Sequence, residues 1–586
     1  MTQTTDTYTL LGAFVDELVR CGMRAACTSP GSRSTPLVLS LAREPRLCCY
    51  SHVDERCSGF FALGLAKASA RPVAVVCTSG TAAAELAPAV IEAHEARVPL
   101  VVLTADRPWE LRENGAGQAI DQLKLYGGAA KWFFEVGVHE AGAQQLRWMR
   151  TLACRAYWTA LEGRPGAVHL NFPLREPLVI DGQPPVDDSG RADGRPYVGR
   201  ALSSAAGAAT GAGEELLSEL VSQAKRGVVI AGRDEHLAGM GEAAAAFAAA
   251  RGWPLLADPL SGARRGDAAI AHYDALLRDG AFAASLTPDL ILRVGDLPVS
   301  KPLRSWLAGL SEVRQVALDP EGAWQDPASV LSDSLALDPA VALRQLAGAL
   351  TAPTTPTAGV DEDWLASWQA ADDRAAQAIL GVLGAEQLSE PAVAAELGVL
   401  LAQQATLFVA SSMPVRDIET FWPARTDPPR VLCNRGANGI DGTVSSAFGA
   451  AAASDGPVVL LIGDVSLAYD IGGLLAAKRL DLKLTIILID NDGGGIFDFL
   501  PVAETPIDIY THHVATPTGL DFAHAAALYG LAHERVQTVS EFRGALERAL
   551  EPEAASRIVH VRSERTSNVE LHRRVWHAVS EALRER

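Results

Sequence analysis

Asp464, Asn491 and Gly493 are the residues of this chain best suited to hold a metal ion. Asp464 follows the apolar run PVVLLI (457–462) and Gly463, while Asn491 follows a second apolar run, LTIILI (484–489), just ahead of a triple glycine. A carboxylate and an amide oxygen are hard donors of the kind Mg²⁺ takes, commonly together with phosphate oxygens and water. Gly493 can add a backbone carbonyl where a side chain would crowd a diphosphate. A helical pattern, with Val465, Ala468, Ile471 and Leu475 on one face, joins the two runs. Strand, helix, strand is a parallel crossover, which brings both loops to the same sheet edge. Gly463 to Phe497 therefore reads as a metal-diphosphate site, although an aspartate at a strand end also serves as an ordinary helix N-cap.

Glu55 lies in HVDERCSGFFALGLAKAS (52–69), between a strand end and a helix whose apolar face carries Phe60, Phe61, Leu63 and Leu65. Two readings stay open for it. It is an acidic residue of a helix's first turn, favoured by the dipole, or the carboxyl that thiamine diphosphate needs beside its aminopyrimidine ring. In the second role the cofactor does the carbanion chemistry, the protein orients and tunes it, and an apolar surrounding raises the carboxyl's pKa. Arginine is the preferred bidentate partner of carboxylates. Arg33, Arg107, Arg416 and Arg435 each sit at a predicted strand-to-loop exit, and Lys301 in LPVSKPLRSW adds a fifth cation. Each alone is an ordinary surface charge; together, in a chain of net charge −19, they suggest a local basic pocket for an anionic substrate. Ser32, after Pro30-Gly31, begins a predicted helix, where its hydroxyl either binds a carboxylate or caps the helix.

These residues need a scaffold. A chain of 586 residues has room for about three to four domains. Abundant Ala and Gly with few aromatics suggest closely packed α/β layers. The net charge of −19 argues against nucleic acid or an anionic membrane surface as partner. No apolar run reaches the roughly 18 residues that span a bilayer. The start, MTQTTDTYTL, lacks a basic region followed by an apolar core, so a cytoplasmic location is expected. Eight cysteines without a CxxC pair or zinc spacing suit free thiols of a reducing compartment.

Strand-like runs alternate with helical stretches: RAACTS (24–29), LCCYSHV (47–53), PVAVVCT (72–78), PLVVLTA (99–105) and GAVHLNFP (166–173) in a first block. RGVVIAG (226–232), PLLADP (254–259) and DLILRVGD (289–296) form a second. TLFVASS (406–412), RVLCN (430–434), PVVLLIGD (457–464), LTIILIDND (484–492) and ASRIVHVRSE (555–564) form a third. Linkers are read at 181–196, continuing through 203–213, and at 351–363, all rich in small and polar residues. The expected fold is α/β, with three doubly wound parallel-sheet domains at 1–182, 198–352 and 364–586.

The three-block order and the GD…N loop resemble thiamine-diphosphate enzymes of the pyruvate-oxidase and acetolactate-synthase group. SPGSRSTPL (29–37), HVDER (52–56), TSGTAAAEL (78–86), ADRP (105–108), GAGQAIDQ (115–122), SSMPVRD (411–417) and NRGANGIDG (434–442) narrow it. Together they resemble the 2-succinyl-5-enolpyruvyl-6-hydroxy-3-cyclohexene-1-carboxylate synthase family, over both terminal blocks and more weakly the middle one. The resemblance implies pyrimidine-binding, central and diphosphate-binding domains, in that order. It implies a transferase that decarboxylates 2-oxoglutarate and joins the succinyl unit to isochorismate in menaquinone biosynthesis, using thiamine diphosphate and Mg²⁺, with Mn²⁺ as an alternative.

By the same resemblance Glu55 activates the cofactor, Ile440 props it into a bent conformation, and Asp464, Asn491 and the Gly493 carbonyl hold the metal. Gly463, Val465, Ser466, Gly494 and Ile496 complete the cofactor cradle. Gln118, Ser412, Phe497 and Leu500 join Ser32 and the five cations around the substrates. Sites shared between subunits of a homodimer or tetramer are implied as well. This sequence departs from relatives at Gly117, at Pro302 after Lys301, and at Asp490 and Asp492, whose charges flank the metal loop. His52, His94, His512 and His513 are read as structural or loop residues.

Three rival readings are weighed. A decarboxylase or acetolactate-type enzyme acting on a monocarboxylate would need fewer cations than the motif loops hold. A non-enzymatic α/β binding protein would not need Glu55. A nicotinamide oxidoreductase would show a G-x-G-x-x-G loop after a first strand, which is missing.

Overall fold

The apolar runs become three all-parallel sheets in the computed structural model, which describes residues 3–200, 211–235, 239–351 and 361–584. The first holds β1 Ala25–Thr28, β2 Cys48–Ser51, β3 Val73–Cys77, β4 Leu100–Asp106, β5 Ala130–Glu135 and β6 Ala167–Pro173, in the order β2-β1-β3-β4-β6-β5. The second holds β7 Gly227–Ala231, β8 Leu255–Ala257, β9 Leu290–Val294, β10 Arg314–Leu318 and β11 Asp333–Leu335, in the order β11-β10-β9-β7-β8. In the third, β12 Thr406–Val409, β13 Arg430–Leu432, β14 Val458–Gly463, β15 Thr485–Asp490, β16 Ala532–Val536 and β17 Arg557–Arg562 run in the order β13-β12-β14-β15-β17-β16. The first and third sheets thus repeat one topology, with the chain reversing direction beside the first strand of each. Crevices at the carboxyl ends of strands beside such a reversal are where open α/β sheets bind ligands.

The chain divides into two compact units, one of residues 1–202, 434–454 and 469–484, the other of 203–433, 455–468 and 485–586. In the first unit the core lies between β1–β6 and their helices, around Phe14, Leu37, Val101 and Phe172. Helix Glu55–Ser69 there packs against helix Thr443–Ala451 at backbone contact. A Cβ on Gly64 would stand 1.9 Å from the Ser446 carbonyl oxygen, and one on Gly449 2.0 Å from that of Phe61. In the second unit one continuous apolar core, including Trp253, Trp368 and Trp422, serves both sheets.

Residues 181–196 carry no helix or strand, as expected of a linker. Of the other expected linker segments, 203–210 and 352–360 lie outside the described residues, and helix Gly211–Gln223 occupies the end of the former. The single helix expected over 465–475 is a correction: it is broken into helix Asp464–Tyr469, a 3₁₀ turn Ile471–Leu474 and helix Leu475–Arg479. The break follows from Asp470, whose carboxylate turns inward to accept the Ser445 N–H at 2.7 Å and its hydroxyl at 3.0 Å. Among the described residues no helix is long and apolar enough to cross a membrane, and six of the eight cysteines are buried.

Candidate active site

The metal loop is assembled by strand register. β14 and β15 pair in parallel with Gly463 opposite Ile489, so Asp464 and Asn491 leave the same edge of the sheet. Asp464 is buried, and its Oδ2 accepts the Gly493 N–H at 2.8 Å. Burial and the neighbouring Asp490 push its carboxyl up to about 6. Asn491 donates through Nδ2 to Glu390 Oε1 at 3.0 Å, while its buried Oδ1 has no hydrogen-bond partner. Gly493 has φ +134°, and a Cβ there would lie 2.5 Å from the Ala515 carbonyl oxygen and 2.7 Å from Arg565 Nη1, so only glycine fits. Its own carbonyl accepts the Gly495 N–H at 2.9 Å, which leaves a second lone pair. At Gly463 an added Cβ meets no atom within 4 Å and would project into open space.

The acidic departure at Asp490 is explained by its partners. Burial would raise Asp490, but its Oδ2 accepts from His560 Nε2 at 2.9 Å and Arg562 Nη1 at 2.6 Å, and these hold it below the usual carboxylate range. Both partners sit on that one oxygen, and the Asp490 charge is still felt at Asp464. Asp492 is exposed, at φ +58°. Glu390 and Arg565, both in contact with this loop, are residues the sequence reading missed. Glu390 opens helix Glu390–Leu400 and looks from sequence like an ordinary first-turn acid.

Val465 and the buried Ser466 continue helix Asp464–Tyr469, Gly494 donates its N–H to Ala515 O at 2.7 Å, and Ile496 lies in the 3₁₀ turn Gly495–Phe499. Phe497 and Leu500 are exposed at 37% and 45%. After β12, Ser412 caps helix Met413–Phe421 at φ +75°, a strained value for serine. Its carbonyl accepts from Arg416 Nη1 at 2.5 Å. Lys301 opens helix Lys301–Gly309 and lines a cavity of about 650 Å³ with Arg278, Trp306 and Trp576.

In the first unit Glu55 is the first residue of its helix and half-buried. Burial, with Asp54 and Glu85 nearby, raises its carboxyl above the ordinary value. Ser32 is exposed and sits in the turn before helix Thr35–Ala42; Ser34 holds the N-cap position, which corrects the expected helix start. Arg33 is buried and committed, donating to Leu174 O at 2.8 Å and Glu176 Oε1 at 3.1 Å. Arg107 bonds Ser79 Oγ, and burial together with the Arg33 charge lowers its pKa. Ser79 also locks Gln118, its hydroxyl donating to the Gln118 carbonyl at 2.9 Å and its carbonyl accepting from Gln118 Nε2 at 3.1 Å. Gln118 has φ +60°, and at Gly117 an added Cβ would meet nothing within 4 Å.

The loop carrying Arg435 and Ile440 is pinned by Glu92, whose carboxylate accepts the N–H groups of Gly436 at 2.8 Å and Ala437 at 2.6 Å. Gly442 ends it, at φ +61° against the Phe60 ring. Of the histidines, His52 is buried against Phe61 and burial holds it down to about 4, so it stays neutral. His94 lies in helix Ala87–Ala96, and His512 and His513 in a turn after Tyr510.

Comparison with known proteins now decides the family. Residues 9–125 match the model described as thiamine pyrophosphate enzyme, N-terminal TPP binding domain, 209–409 the middle domain, and 416–561 the C-terminal TPP binding domain. The chain is 45% identical over 581 residues to a 2-succinyl-5-enolpyruvyl-6-hydroxy-3-cyclohexene-1-carboxylate synthase of Geobacillus thermodenitrificans, covering 98% of this chain and 96% of that one. It belongs to that synthase family. Enzymes of the same name from Bacillus velezensis and Listeria monocytogenes are 42% and 40% identical, each over 98% of this chain and 97% and 98% of theirs. As a member of the family the chain is a thiamine-diphosphate-dependent transferase that works with a divalent metal. Its metal loop offers what such an ion takes: a buried carboxylate, a buried amide oxygen with no other partner, and a backbone carbonyl are hard donors carried at one sheet edge.

Proposed function

We propose that this synthase joins 2-oxoglutarate, with loss of CO₂, to isochorismate, giving 2-succinyl-5-enolpyruvyl-6-hydroxy-3-cyclohexene-1-carboxylate for menaquinone biosynthesis in the cytoplasm. Residues 1–182 would be the pyrimidine-binding domain, 198–352 the central domain and 364–586 the diphosphate-binding domain. Asp464, Asn491 and the Gly493 carbonyl hold Mg²⁺ or Mn²⁺ against the diphosphate. Thiamine diphosphate, when bound, supplies the carbanion chemistry. Glu55 hydrogen-bonds the aminopyrimidine ring, and its raised pKa suits a carboxyl that must give and take a proton. Ile440 sets the cofactor's shape, with Gly463, Val465, Ser466, Gly494 and Ile496 around it.

Arg107, Arg416 and Arg435 bind and orient the substrate carboxylates, with Ser32, Gln118, Ser412, Phe497 and Leu500 beside them. Arg33, which has donors on Leu174 O and Glu176 Oε1 and a buried Nε without a partner, stands with them as the fourth arginine of the pocket. The observation that carries the reading is the metal loop, whose unpartnered buried Asn491 oxygen calls for a cation. The arginine loops favour dicarboxylate substrates over pyruvate.

We further infer a homodimer or tetramer in which Glu55 of one chain and the metal loop of another serve one cofactor. Large exposed apolar side chains near both halves, Val53 and Trp109 in one and Ile507 in the other, support burial by a second copy. The test is product analysis with thiamine diphosphate and Mg²⁺. 2-Oxoglutarate plus isochorismate is expected to give CO₂ and the coupled product, and pyruvate no comparable turnover; turnover of pyruvate alone would overturn the substrate assignment.

A further inference from the structure

We propose that Glu390 is a positioning residue that sets the side-chain amide of Asn491, so that the oxygen and not the NH₂ faces the metal ion. The inference rests on the reading of Asp464, Asn491 and Gly493 as the metal loop.

The two ends of an asparagine amide are alike in size and opposite in hydrogen-bonding sense, so shape alone cannot orient it. A carboxyl oxygen that already accepts from a second donor can, because only the NH₂ end of the amide suits it. Glu390 Oε1 accepts from Asn491 Nδ2 at 3.0 Å and from Ser563 Oγ at 2.6 Å. Ser563 is itself tied to the metal strand, its N–H donating to the Asp490 carbonyl at 3.0 Å. Glu390 is 3% exposed, so water does not compete for that carboxylate. It stands at the head of helix Glu390–Leu400, held by Ser389, whose side chain accepts the Ala392 N–H.

With the amine end taken, Asn491 Oδ1 is left on the opposite side, buried and without a partner. A flipped amide would point NH₂ at the cation and leave Glu390 facing an oxygen. Groups that orient metal ligands in this way commonly change metal affinity by about 10- to 100-fold when removed.

The test is Mn²⁺ titration of the full-length protein with saturating thiamine diphosphate, reading free Mn²⁺ by electron paramagnetic resonance, for wild type, E390L, E390Q, N491A and E390L/N491A. E390L is expected to weaken Mn²⁺ by about 10- to 100-fold, and the double variant to be no weaker than N491A, because Glu390 acts only through Asn491. E390Q keeps an acceptor oxygen but can also turn its own NH₂ toward Asn491, so a loss of about two- to fivefold is expected. Wild-type Mn²⁺ affinity in E390L, or additive losses in the double variant, would overturn the proposal. Should E390L not fold, E390Q decides alone, and an unchanged constant overturns it. If N491A itself binds Mn²⁺ like wild type, the metal-loop reading fails and the proposal with it; if N491A loses Mn²⁺ while E390L does not, only the positioning role fails.

Discussion

Arg33 and Arg107 have the same side chain and similar motif settings, yet their surroundings assign them different work. Arg33 is wrapped by Leu174 O and the Glu176 carboxylate, so removing it strands a buried carbonyl. Arg33→Ala is expected to destabilise the protein by about 1–3 kcal/mol, read as a fall in melting temperature. Arg107 bonds one serine and stands in the field of another guanidinium. Arg107→Ala is expected to raise KM for a carboxylate substrate by about 10-fold or more, with little change in melting temperature; the reverse pattern would reassign both. The sequence carried the residue types but not these commitments. Arg33 reads as a loop cation, and its buried bond to the Leu174 carbonyl is seen only in the structure. Glu390 reads as a helix-start acid until its burial is seen. Asp490 reads as a liability beside the metal until His560 and Arg562, about 70 residues on, close over it.

At the scale of elements, the central strands were legible because parallel strands buried on both faces are uninterrupted apolar runs, as in VVLLIG and TIILID. The strands missed were β5, β10, β11 and β16. β5, β11 and β16 are sheet edges, and β10 is next to one. AHERV and DSL have no apolar run because one side of each strand is unpaired and wet. The misread helix of 465–475 has the same kind of cause: periodicity cannot report that Asp470 turns inward to hold the start of helix Thr443–Ala451.

That buried Asp470 carboxyl has a measurable consequence. Burial raises it to about 6, so the folded chain binds its proton more tightly than the unfolded chain does. Its contribution to stability is complete below the ordinary carboxylate pKa near 4 and is lost as pH rises through about 6, a swing of about 3 kcal/mol. Asp470→Asn should lack this swing. Denaturant unfolding should therefore show the variant gaining on wild type between pH 4 and 7, and a constant difference would contradict the assignment.

The first and last blocks of the sequence repeat one sheet topology, and the residues proposed to act on the cofactor are divided between those blocks: Glu55 follows β2, Asp464 and Asn491 follow β14 and β15. If two chains supply the halves of each site, inactive Glu55→Gln and Asp464→Ala proteins should complement each other. A mixed dimer would hold one site with both lesions and one with neither, so an equal mixture after subunit exchange should regain about a quarter of wild-type activity. A mixture that stays inactive after exchange would place both halves in one chain. The central claim, that Glu55 and the metal loop work one cofactor in a carboligation, is tested most directly by one assay. Coupled product formed from 2-oxoglutarate and isochorismate, with thiamine diphosphate and Mg²⁺, is measured for wild type and Glu55→Gln. Turnover that needs all four components and falls by about 100- to 10,000-fold in the variant is expected; full activity in Glu55→Gln would contradict the account.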